Sequence, residues 1–123
     1  MKLSGSAVGF AAAVMLTALA LPAAAQINPF RSSRGPVMAK QDQQLLLDAT
    51  QRLNERPNPR VGGTETWKSP TSSGTVRLDR VFHQDSMLCH AVTYDLIAAP
   101  QAPPRTYRLN WCRTPNGEWK SKG

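Results

Sequence analysis

From Thr64 onward apolar residues recur at every second position, and this alternation constrains the fold more than any other feature of the chain. A period of two sends successive side chains to opposite faces of a strand. Five stretches read as strands: 64–68, 75–83, 87–97, 104–113 and 118–122. Every junction carries turn chemistry. Ser69 to Gly74 joins the first two strands, and Gln84-Asp85-Ser86 forms a short hairpin loop. Ala98 to Pro103 carries two prolines, and Thr114-Pro115-Asn116-Gly117 suits a type I turn with a glycine bulge. Short loops between consecutive strands predict an antiparallel meander.

The registers check one another. Pairing Phe82 with Leu88 sets Leu78 against Val92 and Val76 against Tyr94. Pairing Val92 with Leu109 sets Tyr94 against Tyr107 and Cys89 against Cys112. Pairing Trp67 with Val76 extends the aromatic row. One face then collects Trp67, Val76, Leu78, Phe82, Leu88, Val92, Tyr94, Tyr107, Leu109, Trp111 and Trp119. Arg77, Asp79, Thr93, Asp95, Arg108 and Asn110 fall on the other face. A slip of one residue scrambles this separation.

One helix is expected ahead of the strands, over about 38–55. Leu45, Leu46, Ala49 and Leu53 form its apolar stripe, with Leu47 off it. Gln41, Gln44, Asp48, Gln51 and Arg52 take the opposite side. Asp42 favours the first turn, and Pro57 ends the helix. So short a helix is marginal alone in water, so its stripe must pack on the sheet. The Pro- and Gly-rich residues 57–63 read as a linker. The fold class is α+β: one N-terminal amphipathic helix packed on a five-stranded antiparallel meander, with one disulfide.

The first residues belong to export rather than to the fold. Lys2 precedes an uncharged apolar run over 7–21, then Pro22 and Ala23-Ala24-Ala25. This predicts a secretory signal peptide over 1–25, cleaved between Ala25 and Gln26. A membrane anchor is the other reading, but the run falls short of the about 20 apolar residues a span needs. No cysteine lies near the cleavage point to take a lipid, and no twin arginine is present. Residues 26–37 read as a flexible basic leader and 38–123 as a single domain. No later segment is long and apolar enough to span a bilayer after cleavage. The expected location is the periplasm, either free or in association with the outer membrane, and the chain is not expected to be a lipoprotein.

Two cysteines in an oxidising compartment read as a structural disulfide between Cys89 and Cys112. Redox or metal thiols are the alternative. A Cys-x-x-Cys motif is absent, and Cys89 and His90 point to opposite faces of one strand, so neither metal nor cofactor is expected. No nucleophile elbow, zinc-helix motif, phosphate loop or dinucleotide fingerprint occurs. Ser72-Ser73 has no histidine placed to activate it, and His83 falls at a hairpin end. No catalytic residue is assigned, and a small hydrolase is the least favoured class.

The registers bring Arg80, His90 and Trp111 side by side on the apolar face. Either Arg80 stacks on Trp111 at the core margin, or the three form a binding patch for an anionic or peptide ligand. The net charge of +7, of which cleavage removes only Lys2, favours weak attraction to anionic envelope components. Ordinary solubility charge is the favoured reading, because the basic residues are scattered rather than clustered. Nucleic acid is not an expected partner.

The stretch 67–119 resembles the C-terminal domain of the rickettsial-type seventeen-kilodalton outer-membrane surface antigens and their proteobacterial relatives. The matching residues are Trp67-Lys68-Ser69-Pro70, Gly74, Val76, Cys89-His90, Tyr107, Trp111-Cys112-Arg113, Asn116-Gly117 and Trp119. His90 and Asn116 depart from the family's usual Arg and Asp. The family's lipoprotein cysteine and glycine-zipper segment are absent, so outer-membrane anchoring does not carry over. The resemblance implies a small β-rich envelope domain with no established enzymatic role and no catalytic residues to carry over. The expected role is non-enzymatic, binding an envelope component. The alternative is a small periplasmic inhibitor or accessory protein docking on an envelope enzyme.

Overall fold

The computed structural model describes residues 37–122. The expected signal peptide lies outside the described residues, as does the basic leader apart from the exposed Val37. Helix α1 (Lys40–Asn54) precedes five strands: β1 (Thr64–Lys68), β2 (Ser73–Gln84), β3 (Met87–Ile97), β4 (Arg105–Arg113) and β5 (Trp119–Lys122). The strands form one antiparallel sheet in chain order, β1-β2-β3-β4-β5. The helix stands well inside the chain, at 40–54, so it is N-terminal only relative to the sheet. Among the described residues, no helix is long and apolar enough to cross a membrane.

The α1 stripe is wider and more polar than its leucines suggest. Leu46, Ala49 and Leu53 are buried, joined by Asp42, Thr50 and Asn54. These six repeat at helical spacing along one face. Leu46, Ala49 and Leu53 share the core with Trp67, Val76, Leu78, Val92, Tyr94, Leu96 and Trp111. Leu45 and Leu47 flank it, half-buried.

Each buried polar residue of α1 has a partner in the sheet or its turns, as burial of polar groups requires. Asp42, in the first turn, accepts a hydrogen bond from Ser69 Oγ at 2.5 Å and another from Thr71 Oγ1. These bonds tie the start of α1 to the β1–β2 turn. Tyr94 OH donates to Thr50 Oγ1 (2.8 Å), Thr50 Oγ1 donates to Leu46 O (2.9 Å), and Trp111 Nε1 donates to Tyr94 OH (2.9 Å). Burial pushes the Tyr94 phenol well above its ordinary value, outweighing the opposing effect of its contacts with Thr50 and Trp111. At the other end Arg52 and Arg56 reach Glu65 of β1 at 3.6 and 3.1 Å.

The linker over 57–63 is tied to the sheet at its C-terminal end. Gly62 N donates to Leu78 O (2.7 Å) and Leu78 N to Gly63 O (2.9 Å). This end of the linker therefore extends the β1 edge of the sheet along β2.

The registers β3–β4 and Val76↔Tyr94, Leu78↔Val92 are as the alternation predicts. Trp67 pairs with Gly74 rather than Val76, a two-residue shift that keeps it on the same face. The β2–β3 hairpin departs in a way that matters. Its loop has two residues, Asp85 and Ser86, both with positive φ, and Gln84 pairs with Met87. Phe82 therefore faces Cys89, not Leu88, which pairs with His83. A bulge between Leu78 and Arg80 restores the expected register beyond it. An extra residue in one strand reverses the face of every side chain on its far side until compensated. Arg80 and Phe82 thus lie on the solvent face, and Val81 takes the inner face. The disulfide joins Cys89 and Cys112, directly opposed on β3 and β4, with Cα atoms 4.1 Å apart and both side chains buried.

Candidate functional site

The bulge divides the expected Arg80–His90–Trp111 patch. His90 and Trp111 are register partners on the inner face. Arg80 pairs with Ala91 on the outer face, where its guanidinium lies 4.5 Å over the Phe82 ring. The stacking partner of Arg80 is therefore Phe82, not Trp111. Two separate surfaces replace the single patch.

The inner surface is a cleft of about 230 Å³ between the C-terminal half of α1 and the β4–β5 turn. Thr50, Gln51 and Asn54 come from the helix, Trp111 from β4, and Trp119 and Lys120 from β5. Turn geometry places the β5 residues. Gly117 adopts φ 89°, and its N–H donates to Thr114 O, while Thr114 N donates to Glu118 O. This tight reversal brings Trp119 back over His90, with ring centroids 4.5 Å apart. Trp111 Nε1 is committed to Tyr94 OH.

Behind the cleft, His90 is fully buried and its Nδ1 lies 2.8 Å from Asn54 Oδ1. An amide oxygen only accepts, so Nδ1 carries the proton and Nε2 is the bare nitrogen. His90 Nε2 and Asn54 Nδ2 are buried without hydrogen-bond partners among the described residues. Removal from water lowers the His90 pKa from 6.5. A histidine depressed in this way stabilises the fold fully above pH 6.5, and that contribution is lost as pH falls from 6.5 through its folded pKa, because the unfolded chain takes the proton first. Thermal midpoints of the wild type and His90→Gln, measured from pH 7.5 downward, should diverge in slope below about pH 6.5. Parallel curves would remove His90 as the cause.

The outer surface is the solvent face of the sheet. Arg77, Asp79, Arg80, Thr93, Arg108, Asn110 and Lys122 line an open groove of about 540 Å³. Asp79, at the bulge, accepts from Thr93 Oγ1 and pairs with Arg77 at 3.1 Å. Arg77 also approaches Asp95, and Lys122 lies 3.4 Å from Asp85. Among the described residues, Arg80 and Arg108 have no carboxylate partner. Cations therefore outnumber the acids along this groove.

The side chains most suited to nucleophilic chemistry are otherwise engaged. Cys89 and Cys112 are bonded to each other. Ser69 and Thr71 serve Asp42, and Ser72 Oγ donates to Ile97 O at 2.8 Å. His83 is exposed at the hairpin end, remote in register from these hydroxyls. Among the described residues, no three His, Cys, Asp or Glu side chains are grouped to hold a metal ion.

The sequence reading missed Thr50, Asn54 and Trp119 as parts of a site. A signal was present in the helix. Thr50 and Asn54 lie four and eight positions after Leu46, on the stripe that must face the sheet. Comparisons with protein-family models, curated proteins and solved structures return no match.

Proposed function

We propose that the chain is a non-enzymatic cell-envelope protein, a surface-antigen-like domain in the periplasm or at the outer membrane, which binds an anionic envelope component through the outer face of its sheet. The observation that carries this reading is the groove in which Arg77, Arg80, Arg108 and Lys122 converge, with Arg80 and Arg108 unneutralised. Strands hold these cations at fixed spacing, so little side-chain ordering is needed on binding beyond the arginine stems themselves. Phe82 already holds the Arg80 guanidinium from one side. The commitment of the two cysteines and of the Ser69, Thr71 and Ser72 hydroxyls to structural bonds supports a binding role over a catalytic one.

The test is co-sedimentation with phosphatidylglycerol vesicles and with phosphatidylcholine vesicles, at low and high salt. Binding to the anionic vesicles should predominate and weaken as salt screens the charges. Each basic residue near an anionic surface contributes about 1 kcal/mol, so Arg80→Met combined with Arg108→Gln should weaken binding roughly thirtyfold. Equal binding by wild type and double variant would overturn the assignment. A salt-insensitive, stoichiometric complex with one soluble envelope enzyme would instead support an inhibitor or accessory role.

A further inference from the structure

We infer that the cleft between α1 and the β4–β5 turn is a second binding site, and that its ligand is an N-acetylated hexosamine, free or at the end of a glycan. The site is independent of the outer groove, since it lies on the opposite face of the sheet. Three observations converge on this chemistry. The first is the orphaned amide. Asn54 is 4 % exposed, lines the cleft, and leaves Nδ2 without an acceptor among the described residues. A buried donor left unmade costs free energy, which a bound acceptor recovers. The acetamido carbonyl of the sugar is such an acceptor, and it brings no charge into the buried end of the cleft where Asn54 and His90 lie.

The second observation is the indole lining. Trp111 gives its N–H to Tyr94, so it offers the cleft carbon surface rather than a donor. Trp119 is held against His90 and also lines the cleft. A pyranose ring has an apolar C–H face that lies well on such aromatic surface, and its hydroxyls point outward from the edge. At the rim, Gln51, Glu55, Glu118 and Lys120 provide both donors and acceptors for those hydroxyls. The third observation is size. A volume of 230 Å³ is below the about 300–1,000 Å³ of drug-sized pockets, so one ring fits and a chain continues outside.

Titration of the full chain with N-acetylglucosamine, followed by tryptophan fluorescence and by the indole and Asn54 amide resonances, tests this. Saturable shifts at Trp119 and Asn54 are expected, with glucosamine and glucose binding at least roughly tenfold more weakly for want of the carbonyl. Asn54→Asp keeps an acceptor for His90 but removes the Nδ2 donor, and should weaken the acetylated sugar by a similar factor. Trp119→Ala, at a half-buried position, is the second variant should Asn54→Asp fold poorly, and it should abolish the saturable shift. Soluble cell-wall glycan fragments and the delipidated sugar of lipopolysaccharide, titrated in parallel, separate the two sources of such a residue. The inference is overturned if the acetylated sugar produces no saturable shift, or if glucose and glucosamine match it. Vesicle binding should be unchanged in Asn54→Asp, so failure here is distinguishable from failure of the outer-groove reading.

Discussion

Gly74→Val should destabilise the protein by about 3–4 kcal/mol, the scale of losing a buried aromatic from a core. Gly74 is the register partner of Trp67, and the indole lies across the space where a side chain would stand. An added Cβ would collide with Cζ2 and Cη2 of Trp67 and come within 2.9 Å of Asp95 O. The Asp95 carbonyl belongs to the sheet backbone and has little freedom to retreat. The ring must therefore leave, and with it the Trp67 Nε1 bond to Ser72 Oγ and contacts at a position 5 % exposed. The expected readings are a thermal midpoint lower by more than about 10 °C and a red-shifted tryptophan emission. Trp67→Leu placed beside Gly74→Ala should recover part of the loss over Gly74→Ala alone, since leucine vacates the contested space. A wild-type midpoint for Gly74→Val would show that the indole does not need this glycine.

Trp67 also shows how far alternation carries. Parity put it on the inner face, and there it lies, although its partner is Gly74 and not Val76. A shift of two residues costs nothing in parity, so hydrophobic pattern alone could not see it. Space could: an indole beside a valine leaves no room, whereas glycine opens a slot. The β2–β3 hairpin failed for a different reason. A three-residue loop and an unbroken β2 satisfy the pattern at Leu78–Val92 as well as a two-residue loop plus a bulge does. Only the stretch between bulge and turn distinguishes them, and there Arg80, Val81 and Phe82 carry too weak an alternation to choose. The candidate patch was built in that stretch, which is why Arg80 changed faces while His90 and Trp111 did not.

The helix makes the converse point. Leucines announced its buried stripe, yet Asp42, Thr50 and Asn54 fix where that stripe sits. Their partners are the Ser69 and Thr71 hydroxyls of the β1–β2 turn and, four positions apart on β3, Tyr94 and His90. A local periodicity has no access to such pairings, because each spans many residues of chain. Apolar contact is non-directional and leaves a helix free to slide on a sheet, whereas directed bonds at three points along its length define one position. The cleft depends on that position, since Asn54 reaches its lining only when α1 is so placed.

Removing the Cys89–Cys112 bridge, as Cys89→Ala with Cys112→Ala, should cost about 3 kcal/mol and lower the midpoint by more than about 10 °C. The two residues are 23 positions apart and directly opposed. Cross-linking a loop of this length restricts the unfolded chain far more than it restrains strands already paired on both sides of it. The loss should therefore appear in stability while the native arrangement survives at low temperature. The next row along the same two strands is His90 opposite Trp111, and β5 hangs from β4 by the short pairing Arg113–Trp119 to Asn110–Lys122. If the bridge acts through the unfolded state, the His90–Trp119 contact should persist in the double variant, and its ring-current shifts should stay in place at about 10 °C, a temperature near maximum stability for small domains. If those shifts vanish while the rest of the sheet remains protected from hydrogen exchange, the bridge holds the β4–β5 corner directly. An unchanged midpoint would sink both accounts. The distinction bears on function, because only the second outcome would make the cleft, but not the outer groove, sensitive to a reductant.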